Sequence, residues 1–494
     1  MTAPSIPSAA LPSAQALPRG RANAAPLPFL VFLAVACWPA LVTGGALWFS
    51  DIAPYVQGGF VATNTLADLL APHEGALAPD GGAESVGGAG TGLAARSGAA
   101  ISGARSIAYS VLAYLASVAA PGMIALVAVQ AAVLAALTAT LARREGGPVW
   151  LWAGVLALSA APLGASTASP DVWAGLTLLS GLLLFRHGRR LSRAEAALVI
   201  GTLAFGVAAH ASHIPLAGAL AVGALLLGTR RQRVAGGLLL AGVAAGVAGV
   251  VAASLIGFGE ASLAPKRYPI VLARAIEDGP ALWHLEEHCE TNRYVLCEVF
   301  PDEIPSNVGD FLWNEGGVRD RATPAQMEAI RAEEMLIVRR AALEYPLFQL
   351  RRAVGNFALQ LVRFTDEPRL GARTVYAGEG EVERAGRAWQ GAARLSVLAQ
   401  GVVTLGTMLL LCAAVATRFV RLAPSGFRLL ALLALGLAAN AAVCGVLSVP
   451  EGRYQARVVW VLPLIATALL AGRHRLAAPH ARGTVRPAPS PAPH

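Results

Sequence analysis

Long apolar blocks, each bounded by charged residues or by Pro and Gly, alternate with polar stretches along most of the chain. A helix needs about 20 mainly apolar residues to cross a bilayer, and it must satisfy its own backbone hydrogen bonds there. Blocks of this kind run approximately over residues 27–48, 119–142, 149–165, 171–185, 196–210, 214–228, 234–258, 395–417, 427–449 and 458–471. The pattern predicts an all-α polytopic membrane protein with about ten transmembrane helices.

The composition excludes an ordinary soluble enzyme. Of the 494 residues, 55% are hydrophobic and 14% are charged, and the mean hydropathy is +0.56, whereas soluble domains carry roughly 25% charged residues. The net charge of +9 would suggest nucleic acid as a partner in a soluble protein. Here the basic residues form short clusters between apolar blocks, so we expect membrane lipids rather than nucleic acid as the partner.

The basic clusters also predict the orientation of the chain. They flank the first block on its N-terminal side and follow every second block thereafter. Their members are Arg19, Arg21, Arg143, Arg144, Arg186, Arg189, Arg190, Arg193, Arg230, Arg231, Arg233, Arg418, Arg421, Arg473 and Arg475. Because basic loops stay on the cytoplasmic side, we expect both termini in the cytoplasm and a location in a bacterial inner membrane.

These boundaries divide the chain into five parts. We expect a disordered cytoplasmic N-terminus (1–26), a bundle of about seven helices (27–258) with a long outer loop (51–118), a mainly helical extracytoplasmic segment (259–394), about three further helices (395–472) and a disordered tail (473–494). The segment 259–394 is called the polar insert below.

The polar insert carries two local signals. Thr323 to Gln326 form a capping box with Pro at the first helical turn, which predicts a helix to about Glu344. Apolar residues then recur at helical spacing from Leu347 to Val362 beside arginines, which is typical of an amphipathic helix at a membrane surface. Cys289 and Cys297 also lie in the insert, and an extracytoplasmic location permits a disulfide between them or two free thiols.

The chemistry is concentrated at the predicted outer ends of the helices. The apolar blocks hold almost no ionisable residues, which weighs against an ion-coupled transporter. Asp51 directly follows the first block and is either a general base or a residue that ends the helix. Arg105, where the first outer loop returns to the membrane, is either an anion ligand or an interface anchor.

A second basic pair precedes the last block. Arg453 and Arg457 are four residues apart, so on a helix they share a face and suit a phosphate; the alternative is an interface anchor paired with Glu451. Arginines on the outer side run against the positive-inside rule, which favours the phosphate interpretation. Lys266 is a further candidate for the same anion site.

His210 and His213 lie three apart in a short outer turn. They are candidates for substrate or metal binding, with a hydrogen-bonded turn as the alternative, and the sequence leaves any metal undetermined. Asp171 starts the fourth block, where an acid stabilises the helix N-terminus.

The layout of the chain resembles the GT-C superfamily of membrane glycosyltransferases, which includes protein mannosyltransferases and aminoarabinose transferases. The resemblance rests on an acid after the first span (Ser50 to Tyr55), a long outer loop that returns through Arg105 to Tyr109, a large insertion before the last spans, and the Arg453-Tyr454 element. The chain departs from the family in having no second acid beside Asp51.

This resemblance implies transfer of a sugar from a polyprenyl-phosphate donor to an extracytoplasmic acceptor such as a glycan, lipid or protein. It implies Asp51 as the base and, on the donor phosphate, Arg453 and Arg457, with Lys266 and Arg105 as further candidates. The candidate substrate-binding residues are Tyr55, His210, His213 and Tyr454, and a divalent metal ion is a candidate cofactor. The alternative is a non-enzymatic scaffold or export component for lipid-linked glycans.

Overall fold

The computed structural model describes residues 27–47, 49, 51–70, 105–366, 379–417 and 423–474. Within these ranges the chain is all-helical and contains no β-strand, which confirms the all-α part of the prediction. The predicted disordered N-terminus, most of the predicted disordered tail and a Gly/Ala/Ser tract at 75–103 lie outside the described residues.

The helices up to the polar insert are α1 (Leu27–Thr43), α2 (Ile52–Leu70), α3 (Ile107–Ala119), α4 (Ile124–Glu145), α5 (Val149–Leu158), α6 (Ala161–Ser166), α7 (Asp171–His187), α8 (Arg193–Ala209), α9 (His213–Leu227) and α10 (Arg230–Phe258). Those of the insert are α11 (Ile270–Asp278), α12 (Pro280–Asn292), α13 (Val295–Val299), α14 (Val308–Leu312), α15 (Val318–Arg321), α16 (Pro324–Glu344) and α17 (Pro346–Val362). The last four are α18 (Glu379–Ala416), α19 (Pro424–Leu447), α20 (Gly452–Val459) and α21 (Val461–His474).

Five helical stretches in the described part of the chain are long and apolar enough to cross a membrane. They are Pro121–Glu145, Gln232–Phe258, Gly391–Ala416, Pro424–Leu447 and Gly452–Ala471. Shorter apolar helices occur at Leu27–Thr43, Ile107–Ala119, Val149–Leu158 and His213–Leu227. The number of about ten spans therefore stays a prediction.

Helix α7 forms the centre of the apolar bundle. Every residue from Val172 to Phe185 is buried, because α4, α8, α9, α10, α19 and α20 surround it. A helix that is apolar on all sides is stable in such an interior position or in contact with lipid. Asp171, its first residue, is consequently held at one end of the bundle core.

Two stretches of the predicted first outer loop are helical. Residues 52–70 and 107–119 form α2 and α3, which pack closely against each other. Ile52, Tyr55 and Gly59 recur at helical spacing on the buried face of α2. A Cβ at Gly59 would lie 2.0 Å from the backbone oxygen of Ser110, so the missing side chain permits the contact.

The polar insert has its own apolar core, which includes Leu272, Ile276, Phe311 and Ile330. Helix α16 starts at the predicted capping box and ends at Glu344. At the other boundary, α18 starts at Glu379, inside the segment assigned to the insert, and continues into the next apolar block.

Helix α17 connects the insert to the apolar bundle. Its outer face is strongly apolar, with Leu347 82% exposed, as expected for a helix at a membrane surface. Near its end, the Gln360 side chain donates to the backbone oxygen of Glu451 (2.8 Å) and accepts from the Glu451 N–H (3.0 Å). Arg363 donates to the backbone oxygen of Pro450 (2.8 Å). These bonds fix the turn that begins α20.

Candidate functional site

Arg457 lies inside the bundle. Its side chain is 3% exposed, and its Nη1 lies 2.9 Å from Oδ1 of Asp171. The guanidinium also donates to Oδ1 of Asn440 from both Nε (3.2 Å) and Nη2 (3.0 Å), and to Oγ of Ser212 (3.0 Å). With its donors directed at internal partners, Arg457 holds helices together instead of facing a ligand.

Asp171 is the acid that two arginines share. Besides Arg457, Nη1 of Arg453 lies 3.6 Å from Oδ2 of Asp171. Asp171 is also the first residue of α7, where the helix dipole stabilises the negative charge of its carboxylate. The predicted role at a helix N-terminus is therefore combined with a second one, the counter-charge of the α20 arginines.

Arg453 is more accessible than Arg457. Its side chain is 23% exposed, and its guanidinium lies 4.3 Å from the ring centre of Phe49 and 4.5 Å from that of Tyr454. Its Nε pairs with the carboxylate of Glu451 at 3.0 Å. Aromatic rings hold a guanidinium in place through cation–π contacts, and Nη2 of Arg453 also donates to the hydroxyl of Tyr454 at 2.8 Å. Arg453 is thus positioned and partly exposed, as a ligand for an anion needs to be.

Asp51 and Arg105 form an ion pair of 2.8 Å, with side chains 39% and 23% exposed. Arg105 also lies 5.2 Å from the ring centre of Tyr55, which is buried against Tyr109. The next residue, Ser106, caps α3 by accepting from the backbone N–H of Tyr109. The pair is therefore anchored by the start of α2 and the start of α3.

The Asp51–Arg105 pair and the cluster of Asp171, Arg453 and Arg457 lie at the same end of the bundle. Phe49, in contact with Arg453, is two residues before Asp51, so the two Cα atoms are at most about 7 Å apart. Residues 51, 105, 171 and 453 thus form one charged site, which is called the acid–arginine site below.

The histidines line the inner side of this site. Nδ1 of His210 lies 2.8 Å from Oγ of Ser212, which also accepts from Arg457. His213 is fully buried and its Nδ1 lies 2.7 Å from the backbone oxygen of Gly206. Among the described residues, no metal-ligand cluster includes either ring. The hydrogen-bonded turn, one of the two alternatives, describes this geometry.

Lys266 lies at the edge of the site. Its backbone oxygen accepts from Arg331 (3.0 Å). Its neighbour Pro265 lines a small groove beside Arg105. The groove is otherwise mainly apolar, with Val250 and Ala253 of α10 among its walls.

The sequence analysis did not identify three residues that contact the arginines. Ser212 and Asn440 contact Arg457, and Phe49 contacts Arg453. The signal for Asn440 was present, since an amide inside an apolar block must find a polar partner. Cys444 lies one turn later, and Nη2 of Arg457 is 3.0 Å from its sulfur.

The insert cysteines are joined. Cys289 and Cys297 form a disulfide with a Cα–Cα distance of 5.8 Å, which links the end of α12 to α13. Neither sulfur belongs to the acid–arginine site.

Comparison of the chain with protein-family models, with curated proteins and with solved structures gave no match. The function must therefore be inferred from the geometry of the acid–arginine site.

Proposed function

We propose that this protein is a membrane glycosyltransferase that moves a sugar from a polyprenyl-phosphate donor to an extracytoplasmic acceptor. The observation that carries the proposal is the meeting of Asp51, Arg105 and Arg453 at one end of an apolar bundle, beside a groove open to the surroundings. A carboxylate and two partly exposed guanidinium groups are what transfer from a phosphate-linked donor needs.

Each residue has a distinct part in the proposed reaction. Asp51 accepts the proton of the acceptor hydroxyl as its oxygen attacks the anomeric carbon of the sugar. The bond from that carbon to the phosphate oxygen breaks, and the phosphate leaves with the bonding electrons. Arg105 and Arg453 stabilise the negative charge that develops on the phosphate.

Arg457 has a different role in this proposal from the one suggested by its sequence spacing. Because its donors are engaged by Asp171, Asn440 and Ser212, it is a positioning residue. It holds Asp171, and Asp171 in turn faces Arg453. Removal of Arg457 should therefore shift Arg453 and so weaken binding of the donor phosphate.

The apolar groove supports a lipid-linked donor over a soluble nucleotide sugar. It extends from Arg105 and Ser106 along α10, a helix whose apolar side chains are mostly exposed, as in a helix that faces lipid. A polyprenyl chain laid against this helix would place its phosphate at Arg105. The exposed ends of the site remain for the sugar and the acceptor.

Binding of undecaprenyl phosphate to the full-length protein in nanodiscs, with undecaprenol as the uncharged reference, tests the anion site. We expect wild type to prefer the phosphate, and Arg105→Gln and Arg453→Gln each to weaken it at least tenfold, about 1.4 kcal/mol. Arg319→Gln, an exposed arginine of the polar insert, is the matched control. Equal binding by all four proteins would refute the site.

Transfer is tested with membranes that contain the protein and a panel of radiolabelled polyprenyl-phosphate sugars. Asp51→Asn should lower transfer by about 10²–10⁴-fold while the protein still accumulates in the membrane. Asp302→Asn, an exposed acid of the polar insert, should leave transfer unchanged. If instead both Asp51→Asn and Arg453→Gln are tolerated and loss of the polar insert is not, the scaffold alternative is supported.

A further inference from the structure

The polar insert contains a second cluster of polar side chains, separate from the acid–arginine site. His284 and His288 are four residues apart on α12 and therefore share a face. That face meets Glu344, the last residue of α16. Nδ1 of His284 lies 2.6 Å from Oε2 of Glu344, and Nε2 of His288 lies 3.3 Å from Oε1 of Glu344. One ligand atom from each residue lies within 4.8 Å of the other two.

The surroundings hold the first of these rings in place. His284 is buried, and its Nε2 lies 3.0 Å from the hydroxyl of Tyr294, which also accepts from Nη1 of Arg340 at 2.8 Å. Metal-binding histidines commonly use their second ring nitrogen in this way, which fixes the direction of the first. Here the direction is toward Glu344.

Of the two nitrogen–oxygen distances, that from His288 matches the spacing around a bound cation, and that from His284 is shorter. A negatively charged carboxylate oxygen and an imidazole nitrogen at 2.6 Å need a proton or a metal ion between them. Zn²⁺ at bond lengths of about 2.0–2.1 Å brings neighbouring tetrahedral ligands to about 3.3 Å from one another. The distance from His288 to Glu344 is already 3.3 Å, so small side-chain shifts suffice.

We propose that His284, His288 and Glu344 bind one divalent transition-metal ion, with Zn²⁺ the ion that best fits two imidazoles and a carboxylate. Three protein ligands leave a fourth position for water. His288 and Glu344 are each about one-third exposed in their side chains, so an ion can enter from the solvent. The disulfide from Cys289 to Cys297 follows His288 directly and limits the movement of the end of α12.

The site would fasten the insert to the helix that reaches the acid–arginine site. Glu344 is followed by Tyr345 and then by α17, and Trp283 of α12 contacts both Tyr345 (5.2 Å) and Phe348 (4.7 Å) between ring centres. A metal ion would add a polar link to this apolar one. The proposal depends on the polar insert alone and holds whichever reaction the protein performs.

The test uses the full-length protein, purified without a histidine tag and treated with chelator, and titrates it with Zn²⁺. We expect one tightly bound ion per chain by elemental analysis, and a rise in Tm when Zn²⁺ is added. Co²⁺ in the same site should show the visible absorption of a tetrahedral complex. The C-terminal histidines are unaffected by the variants below, so weak binding there is common to all samples.

His288→Gln and Glu344→Gln should each weaken Zn²⁺ binding at least tenfold and abolish the rise in Tm on adding Zn²⁺. Each variant should lower the Tm of the metal-free protein less than it lowers the Tm of the protein with Zn²⁺. Glu290→Gln, an exposed acid on the same helix, is the matched control and should bind as wild type does. The two single variants keep the buried His284, so the fold of the insert is preserved. Binding by both variants that equals wild type, or the absence of a tightly bound ion in wild type, would overturn the proposal in favour of a plain hydrogen-bonded network.

Discussion

Asp171 and Arg457 are 286 positions apart in the chain and form an ion pair of 2.9 Å inside the bundle. The pair joins the start of the central helix α7 to α20, and Arg453 approaches the same carboxylate from the exposed side. The position of the proposed phosphate ligand therefore depends on a buried charge pair.

Asp171→Asn should strongly destabilise the protein, because Arg457 would be left buried without a full counter-charge. Loss of one partner from a buried pair costs about 3–5 kcal/mol. The double variant Asp171→Asn with Arg457→Met should recover part of the loss, since it removes both charges. Thermal unfolding of the detergent-solubilised protein, analysed as a double-mutant cycle, measures the coupling.

The control is Asp320→Asn, which breaks an exposed pair with Arg319. Exposed pairs contribute about 0–1 kcal/mol, so its Tm should stay near that of wild type. If Asp171→Asn and Asp320→Asn unfold at the same temperature, the buried pair does not have the structural role given to it.

Gly175→Ala should separate α7 from α20. A Cβ at this position would lie 2.4 Å from the backbone oxygen of Arg457 and 2.5 Å from the ring of Trp460, and both are held in the bundle. We expect a loss of about 1–3 kcal/mol in the free energy of unfolding and weaker binding of undecaprenyl phosphate. Gly201→Ala is the matched control, since nothing lies within 4 Å of its added Cβ, and it should be neutral or stabilising. Equal effects of the two changes would contradict the close contact.

Single cysteines should report the sidedness of the site. In a variant without the three free cysteines, Glu451→Cys and Asp302→Cys should react with a membrane-impermeant maleimide in intact cells. Arg190→Cys, in a basic connection, should react only after the cells are permeabilised, because basic loops stay cytoplasmic. All three side chains are exposed. Labelling of Arg190→Cys in intact cells together with protection of Glu451→Cys would reverse the proposed orientation.

Glu333→Gln should make the polar insert less sensitive to pH. Burial raises the pKa of the Glu333 carboxyl above its ordinary value of 4.5, and the nearby Glu298 adds to the rise. A raised pKa means that the folded state binds the proton more tightly. The proton on Glu333 therefore stabilises the folded insert fully below pH 4.5. This stabilisation is lost as the pH rises through the folded-state pKa.

The glutamine variant keeps an oxygen to accept from the backbone N–H of Val295, a bond of 3.0 Å in the native protein. At pH 7 we therefore expect a small rise in Tm, which disappears as the pH is lowered to 4. Glu290→Gln, exposed on α12, is expected to show no such pH-dependent difference. A fall in Tm at pH 7 for Glu333→Gln would show that the charged carboxylate stabilises the insert.

Local signals in the sequence predicted much of the helical structure. The capping box at Thr323 marks the start of α16, and Pro346 follows its end, because these residues act on backbone groups only a few positions away. The sequence analysis did not predict the helices α2 and α3 within the 51–118 connection, although the apolar spacing of α2 is present in the sequence. That spacing, at Ile52, Tyr55 and Gly59, was readable in retrospect.

The sequence by itself determined that the chain is helical and apolar, and that its ionisable residues gather at helix ends, because these properties depend on composition and on short-range periodicity. It could not separate Arg453 from Arg457, which share a helix face. Only the tertiary structure decided that Arg457 is enclosed by Asp171, Asn440 and Ser212 while Arg453 stays partly exposed. The physical reason is that the burial and pairing of a charge depend on what neighbouring helices present, and those helices are remote along the chain.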